Sequence, residues 1–355
     1  MTDVPRARAN RRAGKGATMR DVALRAGVSQ MTVSFVVNGT KNVSSETRRA
    51  VREAIDALGY VPNQAARSLA STDDLRIGLF HSTVPNAFLS ALLIGTLNAA
   101  SRLGVQVHLE KFDPARPDLL VASLERLVAG GANALLLPPP VGEHAAVDAH
   151  WRTLGMPAVA VASGASLVGI PTVRIDERQA ACDMVSLIFD HGHRRIGIIT
   201  GPASHSASQT RLDGYHAAHA RYGQPVDPGL AVPGDFDFAS GLDGAAKLLD
   251  SADPPTAIFA SNDAMASGVI ALAHRRRLDI PGDLSVAGFD DTPIATQVWP
   301  TLTTVGRDVT AMAEKGVEML AAMRRAQAVG GSAQMADHIA EYRLIPRDSV
   351  APPRR

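Results

Sequence analysis

Residues 18–39 read Thr-Met-Arg-Asp-Val-Ala-Leu-Arg-Ala-Gly-Val-Ser-Gln-Met-Thr-Val-Ser-Phe-Val-Val-Asn-Gly. Asp21 stands where an acidic side chain complements a helix N-terminus, and Val22 and Ala23 supply an apolar face. Gly27 suits the positive φ that a tight turn between two helices demands. Ser29 is placed to cap a second helix with its hydroxyl. Val33, Val36 and Val37, at spacings of three and four, give that helix an inner stripe. Gln30, Met31, Ser34 and Phe35 then face outward. The pattern predicts a helix-turn-helix whose second helix fits a major groove.

Outward from this stretch, a third helix is predicted from about Ser45 to Leu58, with Ser45 as its N-cap. Arg48, Arg49 and Arg52 lie on its polar side, Val51, Ile55 and Leu58 face inward, and Gly59 stops it. Residues 1–17 are rich in Arg, Ala and Gly without apolar periodicity, which reads as a disordered basic arm. Arg6, Arg8, Arg11, Arg12 and Lys15 there suit non-specific phosphate contact. The net charge of +1 hides a division: residues 1–72 carry twelve Lys or Arg against five Asp or Glu, and the remainder twenty-four against thirty. A basic head on a mildly acidic body is the electrostatic footprint of a nucleic-acid module joined to something else.

At 355 residues the chain has room for two or three domains. The single cysteine, Cys182, rules out an internal disulfide framework and fits a reducing cytoplasm. No apolar run is long enough to span a bilayer. The basic N-terminus is not followed by the apolar stretch of a secretory signal. These features predict a cytoplasmic protein without a membrane partner.

From Leu75 onward short apolar strands alternate with helices. Strands are predicted at 76–80, 105–110, 134–137, 158–161, 195–200, 257–260 and 285–289. Helices are predicted at 87–103, 118–130, 177–190, 209–222, 238–249 and 263–276. Alternation of this kind makes doubly wound parallel α/β sheets, and the length accommodates two such halves.

The run Asp-Val-Ala-x-x-Ala-Gly-Val-Ser-x-x-Thr-Val-Ser-x-Val-Val-Asn from Asp21, then Val43-Ser44-x-x-Thr47-Arg48 and Gly59-Tyr60-x-Pro62-Asn63, resembles the N-terminus of the lactose-repressor (LacI/GalR) family of bacterial transcription regulators. The match is ungapped over roughly fifty residues, too long for chance to explain. The likeness continues in Gly192-His193-Arg194-Arg195-Ile196, Ser261-Asn262-Asp263-x-Met265-Ala266-x-Gly268, Ile280-Pro281-x-Asp283-Leu284-Ser285-Val286-x-Gly288-Phe289-Asp290-Asp291 and Pro300-x-Leu302-Thr303-Thr304, all in the family's order.

This resemblance implies a three-helix DNA-binding domain at 18–62, a hinge helix and linker at 63–72, and an effector-binding and dimerisation core at 73–355. The core would resemble a periplasmic binding protein of two subdomains, about 73–165 plus 305–330 and about 172–295 plus 340–350. The three crossings between them would fall near 163–174, 291–306 and 328–340, with a final strand at 341–346 returning to the second subdomain. The partners implied are a pseudo-palindromic operator duplex, a second copy of the chain and a small-molecule effector, with no cofactor.

DNA contacts are expected from Thr18, Gln30, Met31, Thr32, Ser34, Phe35, Asn38 and Arg48, and from Asn63, Arg67 and Leu69 in the hinge. Gln suits adenine, and Met and Phe suit thymine methyls. Leu69 stands where the family wedges a leucine into a base step, and an exposed apolar side chain on a short Ala-rich helix has nothing local to pack on.

Effector contacts are expected from Arg211, Asn262 and Asp290, with apolar walls from Phe88, Phe236 and Trp299. A carboxylate accepts two hydroxyl protons well, so a sugar or glycoside is the expected ligand, with a purine or other small molecule as the alternative. Asp290 and Asp291 are adjacent on an extended segment, so their side chains should point opposite ways. Three departures from the family stand out: Phe35 where Arg is common, Arg307 where Gln is frequent, and Ala162 where many members have Asp.

His191-Gly192-His193 offers two imidazoles but no third ligand at a metal-site spacing. No nucleophile-elbow, phosphate-loop or dinucleotide-binding motif occurs, so no catalytic set is predicted. A solute-binding protein or an enzyme on the same scaffold is the alternative from another class. The basic head and the missing motifs speak against both.

Overall fold

In the computed structural model, which describes residues 17–38, 43–60, 75–82, 86–113, 116–331 and 335–354, Thr18 and Asp21 close a capping box over the first helix, α1 (Met19–Ala26). The Thr18 N–H donates to Asp21 Oδ2 at 2.8 Å, and these bonds hold the Asp21 carboxyl below its ordinary range. Gly27, at φ 66°, ends α1 with its N–H on the Ala23 carbonyl. Ser29 then caps α2 (Gln30–Asn38) by accepting the Thr32 N–H at 3.0 Å.

The third helix, α3 (Ser45–Leu58), is capped by Ser44 rather than the expected Ser45. A capping hydroxyl must sit one residue outside the helix to reach the third N–H. The Ser44 Oγ takes the Thr47 N–H at 3.2 Å, and Ser45 is already helical. Val22, Ala23, Val33, Val51, Ala54 and Tyr60 bury together as the small core of this unit.

Residues 73–355 form the second compact unit. The chain runs β1 (Arg76–Ser82), α4 (Ala87–Leu103), β2 (Gln106–Phe112), α5 (Leu120–Ala129), β3 (Ala134–Leu137), α6 (Ala145–Leu154), β4 (Ala158–Val161) and β5 (Thr172–Arg174). It continues through α7 (Glu177–Asp190), β6 (Ile196–Thr200), α8 (Ser206–Arg221), β7 (Ala231–Pro233), α9 (Phe238–Leu249), β8 (Ala257–Ala260) and α10 (Asp263–Arg275). Next come β9 (Ser285–Asp290), α11 (Ile294–Gln297) and β10 (Thr303–Arg307). The last elements are α12 (Val309–Ala328), β11 (His338–Ile339) and β12 (Tyr342–Ile345).

Among the described residues two sheets form, in the orders β11-β5-β4-β3-β1-β2 and β12-β10-β9-β8-β6-β7. All neighbours are parallel except β12, which runs antiparallel to β10 with Thr304 opposite Ile345. Leu135–Leu137, Ala158–Val161 and Ala257–Ala260 are buried without alternation. Helices cover both faces of a doubly wound sheet, so its inner strands read as continuous apolar runs. α12 returns to cover the first sheet, where a Cβ on Gly316 would stand 2.8 Å from Leu136 and Val161 side-chain carbons.

The lobe limits differ from the expected ones. β5, expected at the start of the second lobe, is an inner strand of the first sheet, between β4 and β11. β10 lies wholly in the second sheet rather than straddling a boundary at 305. Its anchors explain this: Thr304 Oγ1 donates to Asp263 at 2.6 Å and the Thr303 N–H to Ser349 Oγ at 2.8 Å, both partners on the second lobe. The last crossing falls between β11 and β12, because Asp337 accepts the Thr172 N–H at 2.9 Å and pins the chain to the edge of the first sheet. The crossings therefore lie just after β5, just after β10, and between β11 and β12.

Candidate functional site

On the first unit, Gln30 is exposed at the N-terminus of α2 and Met31 is 67% exposed beside it. Ser34 and Phe35, expected to face outward, are half-buried. One residue turns a helix by about 100°, so each lies on the rim of the stripe formed by Val33 and Val36. The hydroxyls of Thr18 and Thr32 are engaged locally, with Asp21 at 2.6 Å and Ser29 at 2.9 Å. Arg48, Arg49 and Arg52 share one side of α3 with Ser45, Glu53 and Asp56, around a shallow groove that Val43 closes. The Asn38 side chain, the arm at 1–16 and the hinge residues Asn63, Arg67 and Leu69 lie outside the described residues.

On the second unit, the carboxyl ends of the parallel strands of both lobes converge. From the first lobe come Phe88 after β1, Glu143 after β3, and Ser163 and Gly164 after β4, while Glu177 opens α7 just past the crossing that follows β5. From the second come Ser206 after β6, Phe236 after β7, Asn262 after β8, Asp290 at the end of β9 and Arg307 at the end of β10. Ligands of open α/β sheets bind at such strand ends.

At the closed end of this cleft four charged side chains form a ring. Arg211 Nε donates to Glu177 Oε2 at 2.7 Å, and Arg307 Nη1 to Glu177 Oε1 at 2.9 Å. Arg307 Nε donates to Asp290 Oδ1 at 2.9 Å, and Arg211 Nη2 stands 3.8 Å from the same oxygen. Arg211 Nη1 also donates to the Ser261 carbonyl. The Arg211 guanidinium carbon lies 3.6 Å from the Phe289 ring centre and 5.8 Å from that of Phe236. Side-chain exposures of Arg211, Glu177 and Arg307 are 2%, 1% and 6%, whereas Asp290 reaches 13%. Burying charges costs several kcal/mol per ion unless they are paired, and here each is paired. The Asp290 and Glu177 charges raise the Arg307 guanidinium above its ordinary range despite burial.

Asp291, next in sequence, turns away to Arg347 Nη2 at 2.6 Å. Both aspartates have positive φ, 108° and 53°, and this kink sends the adjacent carboxylates to different arginines. Asp263, at the start of α10, is fully buried and accepts from the Thr292 N–H at 2.7 Å and from the hydroxyls of Thr292 and Thr304. Burial first, then the Asp290 charge, pushes its carboxyl up to about 7.

Asn262 is engaged within the protein through both ends of its amide. Its Oδ1 takes the Met265 N–H at 2.9 Å as the cap of α10, and its Nδ2 donates to the Phe236 carbonyl at 2.8 Å. A residue just before a helix with a β-region backbone makes this cap almost obligatorily. Phe236, at φ 58°, lays its ring over Gly201 and edge-on to His205. Phe88 is half-buried and its ring centre is 5.7 Å from the Arg307 guanidinium carbon. Trp299 is 77% exposed in the loop between α11 and β10.

At the cleft mouth Glu143 of the first lobe reaches the N-terminus of α8. Its Oε2 accepts the Ser206 N–H at 2.7 Å, and its Oε1 accepts the hydroxyls of Ser206 and Ser163 at 2.7 and 2.6 Å. The lobes touch closely here, since a Cβ on Gly164 would stand 2.2 Å from the Ala207 nitrogen. His205, beside this contact, is held below its ordinary range by burial.

Both imidazoles of the His191-Gly192-His193 turn are engaged: His191 Nδ1 with the Leu187 carbonyl, His193 with Thr256, Ser285 and the Ala351 carbonyl. Among the described residues no group of three or more metal-ligating side chains forms, and no helix is long and apolar enough to cross a membrane.

The sequence reading places Arg211 and Asp290 together but does not bring in Glu177, Glu143 or Asp263. Asp176 and Glu177 look alike as acidic residues opening a helix, and only the fold sends one to the cap and the other to the ring. The Arg at position 307 was the one available signal, as a departure from the family.

Residues 18–63 match the family model described as bacterial regulatory proteins, lacI family, and residues 185–350 match a periplasmic binding protein-like domain. Catabolite control protein A of Priestia megaterium is 34% identical over 330 residues, 92% of this chain and 98% of the relative. The Lac repressor dimer bound to operator and the anti-inducer ONPF superposes with a TM-score of 0.71 at 27% identity, covering 95% of this chain and 100% of that one. The complex of the transcriptional regulator CelR with cellobiose gives 0.69 at 28% identity, covering 94% and 99%.

Proposed function

Because the chain belongs to the lacI family of bacterial regulatory proteins, and is therefore a transcription regulator rather than an enzyme, we propose that it is a dimeric cytoplasmic repressor whose hold on a pseudo-palindromic operator is set by a sugar or glycoside in the two-lobed cleft. The observation that carries the effector reading is Asp290: it is the most open member of an otherwise buried ion ring, and its Oδ2 has no donor among the described residues. An ionised carboxylate is acceptor-only and suits ligand hydroxyls. The cellobiose held by a relative of the same architecture supports the same class.

In this reading Gln30, Met31 and Phe35 face base edges, while Thr18, Thr32, Ser34, Asn38 and Arg48 serve the backbone. Asn63, Arg67 and Leu69 act at the minor groove. Arg211 and Asp290 hold the ligand, and Asn262 contributes by fixing Phe236 as its wall. Phe88 and Trp299 are the further apolar contacts proposed. Ligand shifts DNA affinity only by its differential affinity for two arrangements of the lobes, and DNA must change ligand affinity by the same factor.

The test is an operator-binding assay of the full chain with and without neutral sugars, run on wild type and Asp290→Ala. Asp290→Ala should keep operator affinity and lose the ligand response. Undiminished sugar affinity in that variant, read by isothermal titration, would move the pocket elsewhere.

A further inference from the structure

Both guanidiniums at the closed end of the cleft are spoken for. Arg211 is bound by Glu177 and the Ser261 carbonyl, and Arg307 by Glu177 and Asp290. The charged groups around them do not leave a surplus of positive charge. Two carboxylates, Glu177 and Asp290, face the two guanidiniums of Arg211 and Arg307, while burial keeps His205 towards its neutral form. The member that opens furthest into the cleft is a carboxylate, not a guanidinium. An anion entering here meets an acceptor-only group first and finds no unmatched cation behind it.

We propose that the Glu177–Arg307 pair is a specificity device that closes the effector site to anions, so that the effector is an uncharged, hydroxyl-bearing molecule and its phosphate ester is rejected. This deepens the sugar reading and rests on it for the location of the site. Glu177 and Arg307 act through Asp290 and Arg211 and are positioning residues. Selection by an unfavourable charge is the ordinary way a site discriminates between ligands of equal shape. Removing Glu177 leaves Arg211 and Arg307 sharing one carboxylate, which frees positive charge for an anion. Removing the charge of Asp290 does the same from the open side.

The experiment is a thermal-shift titration of the full chain with inorganic phosphate and with glucose 6-phosphate, against sodium chloride at matched ionic strength. Wild type should show no shift beyond the salt control. Glu177→Gln and Asp290→Asn should each gain a saturable phosphate-dependent stabilisation, with affinity raised roughly tenfold or more. Phosphate also meets the basic head, so the double variant Glu177→Gln/Arg307→Gln is the control, and the gain should vanish in it. If Glu177→Gln does not fold, Asp290→Asn carries the test, because its carboxylate is the least buried of the four.

A saturable wild-type shift with glucose 6-phosphate that Arg307→Gln abolishes would overturn the proposal. So would the absence of any gain in the folded single variants. Neither readout needs DNA or a known effector, so failure here is distinct from failure of the repressor reading.

Discussion

Asp263 shows how a single buried side chain links this fold to pH. Its carboxyl is pushed up to about 7 from an unfolded value near 3.8. Between those values the folded protein holds a proton that the unfolded chain releases. The stability contributed by the protonated form is therefore full below about pH 4 and lost as pH rises towards about 7. Each unit of the shift is worth ~1.4 kcal/mol. In denaturant melts, the stability of wild type relative to Asp263→Asn should decline across that window and level off above it. A constant difference would mean that Asp263 titrates as it does in the unfolded chain. At the DNA face, Gln30→Ala should change which half-site sequences are selected, because an exposed amide at the start of α2 can read an adenine edge. Uniform weakening across sequences, in a selection assay, would make Gln30 a phosphate contact instead. At this scale the sequence is informative where a side chain's role follows from its neighbours in the chain. Gly27, Ser29 and Gly59 are examples. It is silent on Glu177 and Glu143, whose partners lie 34 and 63 positions away.

Among the elements, α8 joins the two ends of the cleft. Its first residue, Ser206, is held by Glu143 of the other lobe, and one and a half turns later it carries Arg211 into the ion ring. Closure at the mouth and engagement at the floor thus act on one rigid rod. Glu143→Ala leaves the Ser206 N–H and two hydroxyls without their acceptor, a loss of ~1–3 kcal/mol if they stay buried. Ligand affinity should fall about tenfold, read by isothermal titration, with Asp290 untouched. Gly164→Ala should act in the same direction, because its new Cβ meets backbone atoms of Ala207 that cannot move aside. Unchanged affinity in both variants would show that the mouth contact does not bear on binding. The helices α4, α7 and α9 and the apolar strands β3, β4 and β8 agree with the reading to the residue, whereas α6 and the long α12 are not among the predicted helices. β5, β7 and β11 span two or three residues, too few for any period to register. β10 escapes because Thr303 and Thr304 look polar, yet both are fully buried with their hydroxyls bonded.

Taken as a whole, the molecule separates charge by unit: the basic residues concentrate before position 72 and the acidic ones after it. Operator affinity of the full chain should therefore fall about 10³-fold or more between ~50 and ~200 mM salt, as phosphate contacts release counterions. Fluorescence anisotropy on a pseudo-palindromic duplex should show one dimer bound, since a three-helix head covers only a half-site. Salt-independent binding would remove the head from the interface. The interleaving of the lobes also bears on how the protein is made. The first sheet is nearly complete once residue 174 has left the ribosome, but α12, the helix laid over Leu136, Val159 and Val161, ends at residue 328. At 5–20 residues per second that helix follows the sheet by roughly 8–30 s. For this interval a nascent chain carries an apolar sheet face that α4 covers only in part, while the second lobe is still being threaded out. The half of the protein synthesised first is the half that must wait, and it is there that a chaperone should bind the growing chain.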